Sequence, residues 1–392
     1  MTTRTMDYDV IIAGAGPGGS TCARICAKAG LQTLLLERDA FPRPKPCGGA
    51  LTERGLSQLG LSLPPEIIER ECFGARLHYG TRTMEVRKDH RVAVLVDRQQ
   101  FDHYLAEKAV EAGAVLQQEE PVQDVSASAD RVEVRTQKAR YEARCVVGAD
   151  GAYSVVGRTV RPLFPRDEIF AALVGSFPAD DSEIAARSCG LTEFYFGIAP
   201  MGYGWVFPHK GQYSVGVVGQ ALEFDAPQRV FSAFSTSVKM PAEKPRGHTI
   251  PMGGIQRPVV GRRTILVGDA AGFADPFHGG GMENAILSGK IAAQAVVDGI
   301  LGGKKDSVTW YQAECDRLIT REMRAALSLA RMLVRYPRLS QTIFFSDTDA
   351  LGKYLDIPAG KSDYVQFRKW LIKKIPRYVL SLLFQKRSAS SQ

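Results

Sequence analysis

Paired cysteines are missing from this chain of 392 residues. Its seven (Cys22, Cys26, Cys47, Cys72, Cys145, Cys189, Cys315) are odd in number and never stand as CxxC. That argues against a disulfide framework or zinc ribbon, and for a reduced, cytoplasmic setting. The six histidines are equally scattered, so no metal is expected. No apolar run is long enough to span a bilayer. The first strand candidate, YDVIIAGAG, begins at Tyr8, which is expected to leave no room for a signal peptide. Internal repeats are absent, and only the closing SASSQ is low in complexity.

Excess charge is also missing from most of the chain. The formal charge is +8, yet Lys353 to Arg387 alone holds nine Lys/Arg against two Asp. A body so nearly balanced does not read as a nucleic-acid binder, and the basic end needs a local explanation. With 45% apolar and 23% charged residues the chain can bury a large core, and its length suits two or three packed units.

The first fifty residues have a βαβ pattern. A buried run at 8–13 leads into GAGPGG, then small and apolar residues (Ser20, Ala23, Ile25, Ala27) at helical spacing, then QTLLLE at 32–37. DRQQFDHYLAEKAVEAGAVL at 97–116 reads as a helix, PVQDVSASADRVEVRTQ as a hairpin, and ARCVVGADG as another buried strand. From about 165 to 255 the pattern turns β-rich. RTILVGDAAG at 263–272 then returns to the opening style, and a small-residue helix follows from Gly281 to about Gly299.

Gly14-x-Gly16-x-x-Gly19 stands between strand and helix. Gly14 suits a tight turn, Gly16 a close approach to pyrophosphate, and Gly19 close helix–sheet packing. The helix start offers free N–H groups to phosphate, and Glu37 ends the second strand where it can accept from ribose hydroxyls. Dinucleotide binding follows. HGGGMENAI brings glycines to a second helix start, where N–H groups of Gly281 and Met282 can face an electron-rich ring. Such a helix end stabilises negative charge by up to about 1 kcal/mol.

CVVGADGAYSVVGR (145–158) and RTILVGDAAGFADPFHGGGMENAI (263–286) resemble the second and third FAD motifs of hydroxylase-type flavoproteins. DRQQFD (97–102) resembles their arginine-bearing helix start. Two further stretches, KPCGGAL and PMGYGWVFPHKGQYSVGVVG (200–219, PxxYxWxFP and a VG strand), resemble the geranylgeranyl reductase family, flavoenzymes that saturate isoprenoid double bonds.

The resemblance implies an α/β fold: a Rossmann-like, p-hydroxybenzoate-hydroxylase-like FAD domain with an inserted antiparallel β-sheet substrate domain and a helical C-terminal region. The expected bounds are 1–75, 97–160 and 255–305 for the FAD domain, 76–96 and 161–254 for the sheet domain, and 306–392 for the helical region. FAD would be contacted by Gly14, Gly16, Pro17, Gly18 and Gly19, by Glu37 and Arg38, and by Cys47, Gly48 and Ala50 of the cysteine turn. Arg98 would meet its phosphates, Val122 its adenine end through the backbone, and Asp269 its ribitol chain. Asp150 would brace the cofactor domain, with Pro276, Gly280, Gly281 and Met282 completing the set.

Cys47 and Tyr203 are the catalytic candidates. A thiol near pKa 8.5 is mostly protonated at neutral pH and suits a proton donor; the plainer reading is a small apolar filler. Tyr203, Trp205 and Phe207 alternate on one face of a strand and are candidates for the wall of a prenyl tunnel, against a reading as sandwich core. The expected substrate is an isoprenoid lipid or prenyl diphosphate, and the reductant is external, NAD(P)H or a reduced electron carrier, since no second GxGxxG occurs. A flavin monooxygenase or halogenase is the alternative. The tail KSDYVQFRKWLIKKIPRYVLSLLFQKR, with Trp370, Leu371, Ile372, Tyr378, Val379, Leu382, Leu383 and Phe384 among its bases, reads either as a peripheral contact to an anionic membrane or as helices docked on the body.

Overall fold

A computed structural model describes residues 5–241, 244–345 and 348–389. The opening βαβ pattern forms as the sequence predicts. The strand Thr5–Ala13 is flanked in parallel by Thr33–Leu36 and Arg140–Gly148, and the parallel core extends to Val115–Gln117 on one side and Thr264–Leu266 on the other. Val10, Ile11, Ile12, Leu34, Leu35, Val146 and Val147 are fully buried, because helices cover both faces of a parallel sheet. The hairpin Asp124–Ala127 and Val132–Arg135 pairs along the first half of Arg140–Gly148, leaving the second half to Thr264–Leu266. The helix expected over 97–116 is Arg98–Glu111, started by Asp97, whose carboxylate accepts from the Gln99 N–H at 2.9 Å; Val115–Gln117 has become the edge strand.

The second sheet has seven strands, in the order Arg246–Pro251, Ile169–Pro178, Gln212–Gln220, Tyr203–Pro208, Leu191–Phe196, Gly74–Tyr79 and Arg82–Arg87. All neighbours are antiparallel except Leu191–Phe196 with Gly74–Tyr79, which run parallel. Ala93–Val96, expected in this sheet, instead pairs with Ala50–Thr52 and Ile68–Cys72 in a three-stranded sheet. Its four residues are all buried, beneath the helix that begins at Arg98. The side chains of the Tyr203–Pro208 strand alternate between two cores. Val206 joins the apolar cluster under the helix Pro227–Ser237, while Trp205 and Phe207 face the cofactor-side core.

The helix Met282–Ile300 lies against Pro17–Lys28 at close range. A Cβ on Gly289 would lie 2.3 Å from the Gly18 carbonyl oxygen, so the small residues of both helices are what lets them meet. Helices Arg321–Arg335, Pro337–Phe345, Thr348–Leu355 and Tyr364–Ala389 follow. The last packs on the body through Tyr364, Phe367, Leu371 and Tyr378, all buried, while Ile372 and Val379 stay exposed. The docked reading of the tail therefore holds as far as Tyr378. Of the remaining apolar candidates Leu382 is half-buried, and the side chains of Leu383 and Phe384 lie outside the described residues.

Candidate active site

One cavity of about 1440 Å³ runs between the two sheets and under the C-terminal helices. Every residue selected from the sequence lines it, from Gly14, Gly16, Pro17, Gly18, Gly19, Glu37 and Arg38 through Val122 and Asp150 to Tyr203, Trp205 and Phe207.

The glycine turn has a strained corner and an open one. Gly14 sits at φ +98°, and a Cβ there would lie 2.4 Å from the Ala149 carbonyl oxygen. At Gly16 a Cβ would meet nothing nearer than Arg43 Nη2 at 4.0 Å, so the space it leaves belongs to the cavity. No side chain caps the helix that follows, and proline opens it. Its first N–H groups and dipole therefore face the cavity as an anion seat. Glu37 holds this turn: its Oε2 accepts from the Ala15 N–H at 3.0 Å, its Oε1 from the Asp39 N–H at 3.2 Å, and Arg43 Nε stands 3.3 Å away. An ionised carboxylate has about four acceptor positions, so ribose hydroxyls can still be received.

Arg98 is not free to swing. Its Nε and Nη2 donate to the two oxygens of Asp102 at 2.8 and 2.9 Å, and Arg43 reaches the same carboxylate at 3.2 Å. Burial works against its charge, but Asp102 and the neighbouring Cys47 hold the guanidinium above its ordinary pKa. Asp150 accepts from Ser154 Oγ and from the Val155 and Val156 N–H groups, which makes it a brace for the loop after its strand. A group with an anionic pyrophosphate, a ribose and a flat ring fits this lining: an open glycine corner, a free helix start and a second uncapped helix start at Met282.

Cys47 lies where the cofactor cradle meets the sheet. The Gly49 N–H donates to its Sγ at 3.4 Å. The two glycines after it are steric necessities. A Cβ on Gly48 would be 2.9 Å from the Phe207 ring and 3.2 Å from Trp205 Nε1. Gly49 adopts φ +77°, with Val96 O at 2.5 Å and His209 Cε1 at 2.6 Å from a Cβ. The aromatic strand thus presses directly on the thiol turn. Phe194 meets Tyr203 and Phe207 edge-on at 5.4 and 5.3 Å, and Trp205 lies 6.3 Å from Tyr203. Trp205 Nε1 donates to Ser214 Oγ at 3.2 Å, and its ring fills the space over Gly216. Tyr203 donates its hydroxyl to the His278 carbonyl oxygen. Burial first, then Asp275 and Cys47, push its pKa up, so it stays protonated.

Three residues escaped the sequence reading. Lys45 Nζ lies 3.2 Å from His248 Nε2, which in turn stands 3.7 Å from Asp269. Burial and then the Arg98 charge lower the Lys45 ammonium pKa, while Asp269 opposes them. Burial likewise lowers His248, with Asp269 opposing. Lys45 precedes the Pro46–Cys47 pair and could have been noticed there; His248 is placed only by sheet pairing. His209 is the third, with Nε2 3.0 Å from the Gly48 carbonyl oxygen and Nδ1 against Glu69.

Beyond Tyr203 the cavity becomes apolar, walled by Leu77, Tyr79, Phe196, Leu333, Phe344 and Tyr354.

Comparison with known proteins bears on this geometry. A family model described as an FAD binding domain matches residues 7–187. The digeranylgeranylglycerophospholipid reductase of Methanothrix thermoacetophila is 32% identical over 89% of this chain and 91% of its own. The geranylgeranyl diphosphate reductase of Rhodobacter capsulatus is 31% identical over 76% of this chain and 77% of its own. The chain belongs to the geranylgeranyl reductase family. A solved structure from Thermoplasma acidophilum, described as geranylgeranyl bacteriochlorophyll reductase-like, superposes with TM-score 0.78 at 26% identity and covers 97% of this chain. As a member of that family the protein is an FAD-dependent oxidoreductase that reduces carbon–carbon double bonds, with the expected FAD domain and inserted sheet.

Proposed function

We propose that this family member saturates the double bonds of a geranylgeranyl-type chain attached to a polar lipid or diphosphate head, with Cys47 supplying the proton. The observation that carries the reading is the shared cavity: the thiol turn and the Tyr203–Trp205–Phe207 face border both the glycine-lined cradle and the apolar extension. When bound and reduced, FAD supplies a hydride to one alkene carbon. The residues do the rest. Gly14 to Gly19, with Glu37, Arg98, Val122 and Asp269, hold the cofactor, and Arg38, Ala50, Pro276 and Gly280 shape its cradle. Trp205 and Phe207 hold a chain that has no polar handle, at about 25 cal/mol per Å² of apolar surface covered. Cys47 gives its proton to the second carbon, so that one hydride and one proton complete each saturation. Tyr203, whose hydroxyl is committed to His278, shapes the site beside the thiol.

Each double bond consumes two electrons, which come from an external donor, NAD(P)H or a reduced electron carrier. A lipid substrate also places the protein peripherally, on the cytoplasmic side of a membrane. The test is anaerobic reduction of the bound flavin followed by addition of geranylgeranyl diphosphate or a geranylgeranyl ether lipid. Reoxidation of the flavin with a mass gain of two hydrogens per bond is the expected result. A reduced flavin indifferent to every prenyl compound, yet consuming oxygen rapidly when an aromatic substrate is added, would replace this reading with a monooxygenase or halogenase.

A further inference from the structure

Several half-buried arginines of the body are answered by carboxylates: Arg54 by Glu322, Arg76 by Glu85, Arg91 by Glu53, Arg257 by Glu168. At one corner, exposed arginines gather without such partners. The helix Arg321–Arg335 buries Met323, Leu327 and Ala330 and turns Arg321, Arg324, Arg331 and Arg335 outward along one side. Arg338 follows at the start of the next helix, also exposed. From Met323 to Phe345 the sequence has no Asp or Glu, and none of these five arginines forms an ion pair among the described residues. Arg368 of the last helix joins them, its Nη1 donating to Ser328 Oγ at 3.3 Å in the middle of the stripe.

The same corner exposes apolar side chains and borders the cavity. Val334 is 53% exposed and Tyr336 56% exposed, at the bend between the two helices. Leu333, Val334, Pro337 and Ser340 line the cavity, and Phe196, 37% exposed, lines it from the sheet. Arg324 donates to Gln256 Oε1 at 2.9 Å, but no guanidinium here meets a carboxylate among the described residues. Protruding apolar tips ringed by such groups match a bilayer surface, where phosphates lie above acyl chains. Guanidinium forks suit phosphate oxygens particularly well.

We propose that the bend between helices Arg321–Arg335 and Pro337–Phe345 docks on an anionic bilayer, setting the cavity mouth against the lipid from which the prenyl chain enters. This rests on the lipid-chain reading above and adds the partner surface to it. The geometry lets an apolar chain pass from bilayer to cavity without crossing water. It also favours this corner over the C-terminal helix, whose apolar side is spent on the protein core as far as Tyr378.

The test is co-sedimentation of the full-length FAD-loaded protein with vesicles of phosphatidylcholine alone, or of phosphatidylcholine and phosphatidylglycerol in equal parts. Three forms are compared: wild type, the corner variant Arg331→Glu/Arg335→Glu/Arg338→Glu, and the tail variant Lys369→Glu/Lys373→Glu/Arg377→Glu. Bound flavin absorbance verifies that each is folded. Wild type should bind the anionic vesicles and release them at high salt. The corner variant should bind them on the order of 100-fold more weakly, and the tail variant much less affected. Equal sedimentation of wild type and corner variant, or loss confined to the tail variant, overturns the proposal. No prenyl substrate is present, so a protein that docks but saturates no chain sinks only the proposed function. One that reduces geranylgeranyl diphosphate in solution but never sediments sinks only the docking face.

Discussion

His209 Nε2 lies 3.0 Å from the carbonyl oxygen of Gly48, with the Glu69 carboxylate on the other ring nitrogen, and through this contact the strand that ends at Pro208 holds the turn bearing Cys47. His209 is only 6% exposed. A buried hydrogen bond of this kind contributes about 1 kcal/mol net, and leaving the carbonyl unanswered costs up to about 3 kcal/mol. His209→Ala should therefore keep its flavin and its KM but lose about tenfold in kcat, because the thiol is no longer held in place. His209→Gln, which can still donate to Gly48, should recover part of that loss. Unchanged kcat in His209→Ala would show that the turn holds itself.

Cys47 itself is tested by Cys47→Ala and Cys47→Ser. General acid catalysis is worth about 10²- to 10⁴-fold, so Cys47→Ala should lose roughly that much in olefin reduction. FAD content and reduction of the flavin by dithionite should be untouched. Turnover at the wild-type rate would leave Cys47 as packing beside Trp205 and Phe207.

What could be read from the sequence was local. The glycine turn, the alternation of Tyr203, Trp205 and Phe207, and the small residues of Met282–Ile300 are visible because each is written within a few consecutive residues. The site was less legible where it depends on pairing between distant segments. Nothing near His248 says that its strand borders Ile169–Pro178 and so meets Lys45 and Asp269. The same applies to Gly74–Tyr79, whose parallel partner Leu191–Phe196 lies more than a hundred residues on, and to Ala93–Val96, whose apolar run fits either of two sheets. The tail stayed open between two readings for another reason: a basic, apolar-striped helix has the same pattern whether its stripe meets lipid or a protein core.

Gly14 and Gly16 separate folding from cofactor binding. Gly14→Ala puts a Cβ 2.4 Å from the Ala149 carbonyl oxygen at φ +98°, so it should lower thermal stability and yield little folded protein. Gly16 has φ −76°, an ordinary value, and its Cβ would point into open cavity. Gly16→Ala should fold as well as wild type while binding FAD at least tenfold more weakly, measured by flavin released on dilution. Full FAD occupancy in Gly16→Ala would mean that the pyrophosphate does not sit over this corner.

Glu193 makes the sheet domain sensitive to acid. It stands opposite Arg76 in the parallel pair, receives Arg76 Nη1 at 3.1 Å and the Tyr195 hydroxyl at 2.6 Å, and has His78 and Arg187 at 3.5 and 3.4 Å. Burial would raise its pKa, but the hydrogen bonds from His78 and Tyr195 and the Arg187 contact outweigh burial and bring it from 4.5 down to about 2. A carboxylate depressed in the folded state stabilises above its unfolded pKa, and that stability is lost as pH falls from 4.5 towards 2. The full contribution is about 3 kcal/mol. Glu193→Gln should therefore be less stable than wild type at pH 7, with Arg187 left without a carboxylate and Arg76 keeping only Glu85, and the two stability curves should converge across that acid window. Denaturant unfolding followed at a series of pH values measures the gap. A gap that stays constant from neutral pH down to pH 2 would mean that the Glu193 charge contributes nothing to holding the parallel strands together.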